Sequence, residues 1–262
     1  MTHRIETVAV KGSPMEVFVF EPKGAGPHPG IIVCQHIPIG HTGIENDKFT
    51  LSVGERYAEN GYVVAAPFIF HWWPKSADME VKRKEFRDDW TAPDLMAAYN
   101  LLAGMANVDA SRIGIVGHCW GGRVAWLGAM SNPKLKACAI FYGGRIRAAM
   151  GEGNPPAIDL AANIKCPVIG FFGNLDKSPS PEDVDAYDAA LTKAGVDHTF
   201  HRYDGANHAF QNHLDERYHP QAADDAWQKA LAFFAAKLRP EKLVPPSPHD
   251  HDQCSSARRT VS

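Results

Sequence analysis

The sequence has no long apolar run, and its stretches such as residues 31–34 and 62–66 are the length of single strands. A membrane-spanning helix needs roughly 18 or more consecutive apolar residues. The first residues, Met1 to Glu6, also lack the apolar core of a secretory signal. We therefore expect a protein without a membrane partner that stays in the cytoplasm.

Charge of one sign is also lacking, because the formal net charge is only −3. Such a balance gives no broad electrostatic attraction for nucleic acid, although a local basic pocket stays compatible with it. Hydrophobic residues make up 45% of the chain and charged residues 22%. This composition is typical of a globular protein and excludes wholesale disorder.

Paired cysteines are missing as well. The five cysteines form an odd set without any Cys-x-x-Cys motif, which argues against a disulfide framework and a zinc ribbon. We interpret Cys34, Cys138 and Cys166 as small buried core residues, because free cysteine is among the most buried residue types. The 13 histidines include no His-Glu-x-x-His motif, so we expect no metal site.

What the sequence does contain is a regular alternation of short apolar runs and longer helical patterns. An alternating N-terminal stretch, residues 8–19, predicts an antiparallel hairpin. Short runs at 31–34, 62–66, 113–116, 137–142 and 168–172 then predict parallel strands joined by helices. Pro93-Asp94 favours a first helical turn before residues 95–106, and Pro181 and Gly195 favour the two ends of another helix.

These elements predict one α/β domain over residues 1–240. A last amphipathic helix is expected from about residue 221 to 238, and residues 241–262 are typical of a mobile tail. Residues 67–89 and 143–163 break the rhythm directly after predicted strands. Segments that leave the carboxyl ends of parallel strands form binding crevices, so both are candidate walls of a substrate pocket or, alternatively, ordinary crossovers packed on the sheet.

One segment carries the clearest chemical signal. The apolar run 113–116 is followed by Gly117-His118-Cys119-Trp120-Gly121-Gly122 and then by a helical pattern. Strand, sharp turn and helix are the context of the nucleophile elbow Gly-x-Ser-x-Gly of α/β hydrolases. Here cysteine holds the central position, at a helix N-terminus that favours a thiolate.

A thiol nucleophile needs a base, and the base needs an acid to orient it. In α/β hydrolases the chain order is nucleophile, acid, histidine. Asp176 follows the strand 168–172, and His208 follows the strand-like residues 198–203. We therefore predict a catalytic triad of Cys119, Asp176 and His208.

Four motifs make the chain resemble the dienelactone hydrolase (carboxymethylenebutenolidase) family over roughly residues 5 to 238. They are Gln35-His36-Ile37, the elbow at 117–122, Phe172-Gly173-Asn174-Leu175-Asp176 and Tyr203-Asp204-Gly205-Ala206-Asn207-His208-Ala209-Phe210. The resemblance implies an α/β-hydrolase fold, with a mostly parallel central sheet of about eight strands and helices on both faces. It further implies that Cys119 attacks an ester or lactone carbonyl and forms an acyl-thioenzyme. The backbone N–H groups of Ile37 and Trp120 would form the oxyanion hole, and no cofactor is implied.

The chain departs from this family at two positions. His36 stands where well-known members have a glutamate that takes part in thiol activation, and Asn212 stands where they have a carboxylate-binding arginine. The His36 imidazole could accept the thiol proton, stabilise the thiolate as imidazolium, or simply be hydrogen-bonded beside the pocket. The candidates for substrate binding or thiol tuning are His36, Arg83, Arg87, Trp90, Tyr142, Arg145 and Phe210.

The function expected first is hydrolysis of small esters or lactones by a monomer or homodimer. A second hypothesis keeps the same cysteine site but directs it at another electrophile, such as an organophosphate triester. A third, of another class, is a non-catalytic receptor for small molecules on the same scaffold.

Overall fold

The N-terminal residues pair as an antiparallel hairpin, as their alternating pattern predicts. The computed structural model describes residues 3–37 and 39–239. Strand β1 (Arg4–Val10) pairs with β2 (Ser13–Phe20) across a two-residue turn. Lys11 and Gly12 both have positive φ, 47° and 83°, which is the conformation that tight two-residue hairpin turns require.

The other strands extend the hairpin into one sheet of eight strands. They are β3 (His28–Cys34), β4 (Val63–Pro67), β5 (Val108–His118), β6 (Cys138–Phe141), β7 (Val168–Gly173) and β8 (His198–Tyr203). Their order is β1-β2-β4-β3-β5-β6-β7-β8, and all pairs from β4 to β8 are parallel. The predicted mostly parallel sheet of about eight strands is therefore confirmed.

Helices cover both faces of this sheet. They are α1 (Lys48–Glu59), α2 (Met79–Lys84), α3 (Asp88–Gly104), α4 (Trp120–Ser131), α5 (Pro181–Ala194) and α6 (Pro220–Leu238). Successive strand residues point to opposite faces. In β5, Gly114 faces Phe234 of α6 on one side of the sheet. The next residue, Ile115, faces Gly128 of α4 on the other side.

Helix α3 begins earlier than the sequence predicts. Pro93 was expected in its first turn, but the helix starts at Asp88, so that Pro93 lies inside it. Proline lacks an N–H and leaves the carbonyl four residues earlier without its helical bond. The buried ion pair between Asp88 and Arg123 of α4 holds the added first turn against the neighbouring helix.

Residues 67–89 begin with a polar contact between the hairpin and α3. His71 joins Ser13 Oγ at 2.8 Å through Nδ1 and Asp94 Oδ1 at 2.9 Å through Nε2. Asp94 also accepts a hydrogen bond from the Trp72 indole at 3.0 Å. Because both the His71 ring and Asp94 are buried, these bonds fix where the loop after β4 leaves the sheet.

The remaining boundary predictions have mixed outcomes. Helix α5 has Pro181 in its first turn and Gly195 as a left-handed C-cap with φ 67°, as predicted. The expected tail, 241–262, lies outside the described residues, so the single-domain boundary stays a prediction. In the part of the chain that the structure describes, no helix has both the length and the apolar character needed to cross a bilayer.

Candidate active site

Cys119 lies at a sharp turn between β5, which ends at His118, and α4, which begins at Trp120. Its backbone has φ 56° and ψ −121°, a strained conformation for a residue with a side chain. Close approach of strand and helix requires glycine on both sides. A Cβ at Gly117 would come within 1.8 Å of the Gly121 carbonyl oxygen, and one at Gly121 within 2.6 Å of the Cys34 oxygen. This geometry is that of a nucleophile elbow.

The loops after β7 and β8 bring the two predicted partners to this turn. His208 Nε2 lies 2.9 Å from Cys119 Sγ, and His208 Nδ1 lies 2.8 Å from Asp176 Oδ2. The other Asp176 oxygen accepts a hydrogen bond from the Ser178 amide at 2.8 Å. The three side chains therefore form a continuous hydrogen-bonded chain from a thiol through an imidazole to a buried carboxylate.

The electrostatic environment favours protonated His208. Burial alone lowers the pKa of His208, but its hydrogen bonds to Asp176 and Cys119 and the charges of both outweigh burial and raise the pKa to about 10. A protonated imidazole beside the sulfur stabilises a thiolate. The arrangement thus places a protonated imidazole directly beside the Cys119 sulfur.

A second histidine in the elbow, His118, has a different environment. It is 1% exposed, stacks on Phe141, and bonds Gln211 Oε1 through Nε2 at 2.6 Å. Burial lowers the pKa of His118 to about 3, so this ring is neutral. His118 therefore packs in the core next to the elbow. His208 is the histidine that lies within hydrogen-bond distance of the thiol.

The His36 side chain bonds a carboxylate beside the site. Its Nδ1 lies 3.0 Å from Asp47 Oδ1, and its ring packs edge-on against Phe49. Burial raises the pKa of Asp47, but the hydrogen bonds from His36 and Thr50 outweigh it and lower the pKa. Of the three interpretations of His36, this geometry favours a histidine hydrogen-bonded beside the pocket, and a role in thiol activation stays a prediction.

The backbone around the expected oxyanion hole has an unexpected arrangement. The Trp120 amide, one of the two expected donors, donates to the His36 carbonyl oxygen at 3.1 Å. The second expected donor, the Ile37 amide, belongs to the same peptide unit as that carbonyl. In this resting arrangement the Trp120 N–H is therefore occupied by main chain.

Cys119 and its partners open onto a cavity of about 490 Å³ with a strongly cationic lining. Its cationic residues are Arg83, Arg123, Arg145, Lys177 and Arg217. Each of the two segments expected as pocket walls supplies one of the predicted arginines, Arg83 and Arg145. The cavity is thus suited to a substrate that carries negative charge.

Three of these cations were not among the sequence candidates. Arg217 is held by Asp215 through two hydrogen bonds of 2.7 Å, and the hydrogen bonding to Asp215 raises the pKa of Arg217. Its only sequence signal is position, nine residues after His208 in a charged turn. Lys177 directly follows Asp176, and Arg123 is four residues after Cys119 on the first turn of α4.

The other candidates lie outside the cavity lining. Arg87 pairs with Asp89 at 3.0 Å and stacks over the Trp90 ring at 5.6 Å. Tyr142 and Phe210 are fully buried in contact with each other, and the Tyr142 ring also meets His208 at 5.2 Å. Tyr142 therefore packs against the His208 ring, and Phe210 packs against Tyr142.

A metal centre finds no support in the described ranges, 3–37 and 39–239. These residues contain no group of three histidine, cysteine, aspartate or glutamate side chains placed to hold an ion.

Sheet, elbow and the ordered Cys–His–Asp chain together define an α/β hydrolase. A sequence profile of the dienelactone hydrolase family matches residues 15–238. The chain therefore belongs to the dienelactone hydrolase family and is a hydrolase, as the sequence predicts.

Individual relatives agree with this assignment. A protein of Synechocystis sp., provisionally named a carboxymethylenebutenolidase, is 34% identical over 85% of this chain and 92% of its own length. A similarly named protein of Yersinia pestis is 29% identical over 87% of this chain and 86% of its own length. A protein of Klebsiella pneumoniae that is provisionally named a dienelactone hydrolase has a crystal structure that superposes on this chain with a TM-score of 0.77. The two sequences are 30% identical, and the superposition covers 90% of this chain and 99% of the other.

A more distant structure shares the fold alone. It is described as a dienelactone hydrolase-like promiscuous phosphotriesterase from metagenomic libraries. The TM-score is 0.72 at 18% identity, over 90% of this chain and 98% of the other.

Proposed function

We propose that this protein hydrolyses small anionic esters or lactones with Cys119 as its nucleophile. The observation that carries the proposal is the pair of contacts made by His208, 2.9 Å to Cys119 Sγ and 2.8 Å to Asp176 Oδ2, beside a cationic cavity. A thiol, a base and an orienting acid in this order supply what acyl transfer requires.

The reaction proceeds in two balanced steps. The Cys119 thiolate adds to the carbonyl carbon, and the carbonyl oxygen becomes an oxyanion. Collapse of this intermediate breaks the ester C–O bond, and protonated His208 gives its Nε2 proton to the leaving oxygen. In the second step neutral His208 takes a proton from water, hydroxide attacks the thioester, and the acid leaves as the thiolate re-forms.

The cavity lining supports an anionic substrate. Asp88 neutralises Arg123 and Asp215 neutralises Arg217, but among the described residues neither Arg145 nor Lys177 pairs with a carboxylate. A substrate carboxylate would therefore gain charge-assisted hydrogen bonds there. This supply of cations offsets the loss of the family arginine at the position of Asn212.

The acyl-enzyme can be trapped and counted. We expect p-nitrophenyl acetate to give a burst of one nitrophenolate per active site, and intact-protein mass spectrometry to show one acetyl group on Cys119. The Cys119→Ala variant should show neither. A wild type that turns the ester over without an acylated Cys119, or a Cys119→Ala variant that keeps its activity, would refute the nucleophile.

Charge selectivity is tested with a matched pair of variants. We expect Arg145→Gln to reduce kcat/KM about tenfold or more for a dienelactone, which carries a carboxylate, and to change it little for neutral p-nitrophenyl acetate, since a charge-assisted bond contributes about 1.5–3 kcal/mol. Arg147→Gln is the control, because Arg147 is exposed and pairs with Asp183. Equal losses on both substrates would contradict carboxylate recognition.

The competing electrophile belongs in the same assay. A phosphotriester such as paraoxon would react with the same thiolate and give a phosphorylated cysteine. If paraoxon is turned over faster than both esters, the phosphotriester hypothesis replaces the ester hypothesis. If no substrate acylates or phosphorylates Cys119, the receptor hypothesis gains support.

A further inference from the structure

Lys82 is a fully buried lysine of α2 whose ammonium donates hydrogen bonds to main-chain carbonyl groups. Its Nζ donates to the carbonyl oxygens of Ile39 at 2.6 Å and Lys75 at 3.1 Å, with a longer contact of 3.5 Å to Thr42. The side chain is 0% exposed. Burial of an ammonium group costs free energy unless its hydrogen bonds are satisfied. The hydrogen bonds of Lys82 therefore hold these carbonyl groups in position.

Two of the three carbonyls belong to the loop that follows β3. We call its described residues, 36, 37 and 39–42, the oxyanion loop, because it contains the expected donor Ile37. Further contacts hold the same loop against α2: the His41 amide donates to the Ala77 carbonyl at 3.2 Å, and a side chain at Gly40 would lie 3.0 Å from the Met79 nitrogen. The downstream end of the loop is thus fixed by the start of α2.

The upstream end is fixed separately. The His36 amide donates to Thr50 Oγ1 at 3.1 Å, and the His36 imidazole bonds Asp47. Asp47 in turn accepts from the Thr50 hydroxyl at 2.7 Å. The peptide unit between His36 and Ile37 therefore lies between two anchors, one on α1 and one on α2.

In that peptide unit the carbonyl group faces Trp120, although the expected oxyanion hole needs its N–H group on that side. Its carbonyl accepts from the Trp120 amide at 3.1 Å, and the bond is trans, since the cis bonds of the described residues lie elsewhere. In a trans peptide the C=O and N–H groups point in opposite directions. The Ile37 N–H consequently points away from Trp120, whereas an oxyanion hole needs both N–H groups to converge on one oxygen.

We propose that the oxyanion hole forms by rotation of the His36–Ile37 peptide, and that Lys82 is the positioning residue that holds the loop in register for it. The rotation moves the carbonyl away from Trp120 and places the Ile37 N–H where the carbonyl oxygen was. Both donors then face the developing charge. The anchored residues His36 and Ile39 hold the loop on the two sides of the peptide that rotates. The inference rests on the proposed function, because it concerns the oxyanion formed during attack by Cys119.

Two reactions of the same thiol separate this role from a purely structural one. Acylation by p-nitrophenyl acetate passes through an oxyanion, whereas alkylation by iodoacetamide displaces iodide and forms none. For Lys82→Met we expect acylation to slow by about 10- to 100-fold, the loss typical of a misplaced catalytic group, and alkylation to stay within about twofold. Lys84→Met, an exposed lysine on the same helix, is the matched control and should change neither rate.

Other outcomes overturn the proposal. If Lys82→Met slows both reactions equally, the lysine supports the thiol or the fold as a whole, and if it slows neither, the lysine has no positioning role. A wild type that is alkylated but never acylated refutes the proposed function itself. A normal wild type with an unaffected variant refutes only the role of Lys82.

A measurement on the wild type keeps the test independent of the variant's folding. Phenyl trifluoromethyl ketone adds to a thiolate and leaves a stable hemithioketal oxyanion on Cys119. In the crystal structure of this adduct we expect the Ile37 and Trp120 nitrogens both within hydrogen-bond distance of that oxygen, and the His36 carbonyl turned away. An adduct in which the Trp120 amide still donates to His36 would overturn the rotation.

Discussion

The hydrogen bond between Asp176 and His208 gives the sharpest prediction for the proposed triad. Asp176→Asn keeps the size of the side chain and removes its charge. Without the carboxylate, the pKa of His208 should fall from about 10 toward its ordinary value of 6.5, because burial then opposes protonation. The introduced amide can also donate to Nδ1, which places the imidazole proton on Nε2. A protonated Nε2 cannot accept a proton from the thiol.

The expected magnitude follows from the bond itself. A buried hydrogen bond to a charged group contributes about 1.5–3 kcal/mol, and about 1.4 kcal/mol corresponds to a factor of ten. Loss of this bond alone should reduce kcat/KM for p-nitrophenyl acetate about 10- to 150-fold at neutral pH, and the wrong tautomer adds to the loss.

The assay is the rate of esterolysis and of iodoacetamide alkylation as functions of pH. A histidine whose folded pKa is raised holds its proton below that pKa and loses it above, so His208 of the wild type holds its proton at neutral pH. In Asp176→Asn the alkylation rate should be low at neutral pH and rise with pH as the thiol ionises unaided. Asp188→Asn, which alters the exposed pair with His198, is the control. Wild-type rates and an unchanged profile in Asp176→Asn would refute the reasoning.

Two further predictions concern stability. Gly121→Ala places a Cβ 2.6 Å from the Cys34 carbonyl oxygen, whereas the Cβ of Gly104→Ala meets nothing within 4 Å. We expect urea denaturation to show that Gly121→Ala lowers the free energy of unfolding by about 1–3 kcal/mol. Gly104→Ala should not lower it. Equal stability of the two variants would contradict the tight packing of the elbow. Arg123→Met leaves Asp88 buried and uncompensated and should cost about 3–5 kcal/mol in the same assay, of which the double variant with Asp88→Leu should recover a large part. If the double variant is no more stable than Arg123→Met, the cost arises from packing and not from the unpaired charge.

The strand positions and the elbow could be predicted because their signals are local. An apolar run followed by Gly-x-Cys-x-Gly and a helical pattern contains strand, turn and helix within a few residues of Cys119. Asp176 and His208 could be found because each follows a strand, in the order the fold requires. Their proposed roles depend on that order, and the distances in the structure add support.

The contacts that escaped prediction depend on distant parts of the chain. Arg217 reaches the cavity because a turn held by Asp215 directs it there, and no periodic pattern marks such a turn. Pro93 suggested a helix start, but the buried pair of Asp88 and Arg123 extends the helix beyond it. The direction of the His36 carbonyl is set by packing against Trp120, and side-chain types do not encode it. Oligomeric state and cellular location stay predictions.

The position of the triad at the strand ends has a consequence for the newly made protein. Cys119 follows β5, but its proposed base follows β8, which among the described residues lies at the edge of the sheet and pairs with β7. If His208 activates Cys119 as proposed, the thiol of the newly made chain stays unactivated until β8 has emerged and docked. Partial opening of that edge in the mature protein would equally separate His208 from the sulfur. On the proposed mechanism, the reactivity of Cys119 would thus report whether β8 and the loop after it have docked, and a thiol-directed probe would time that step.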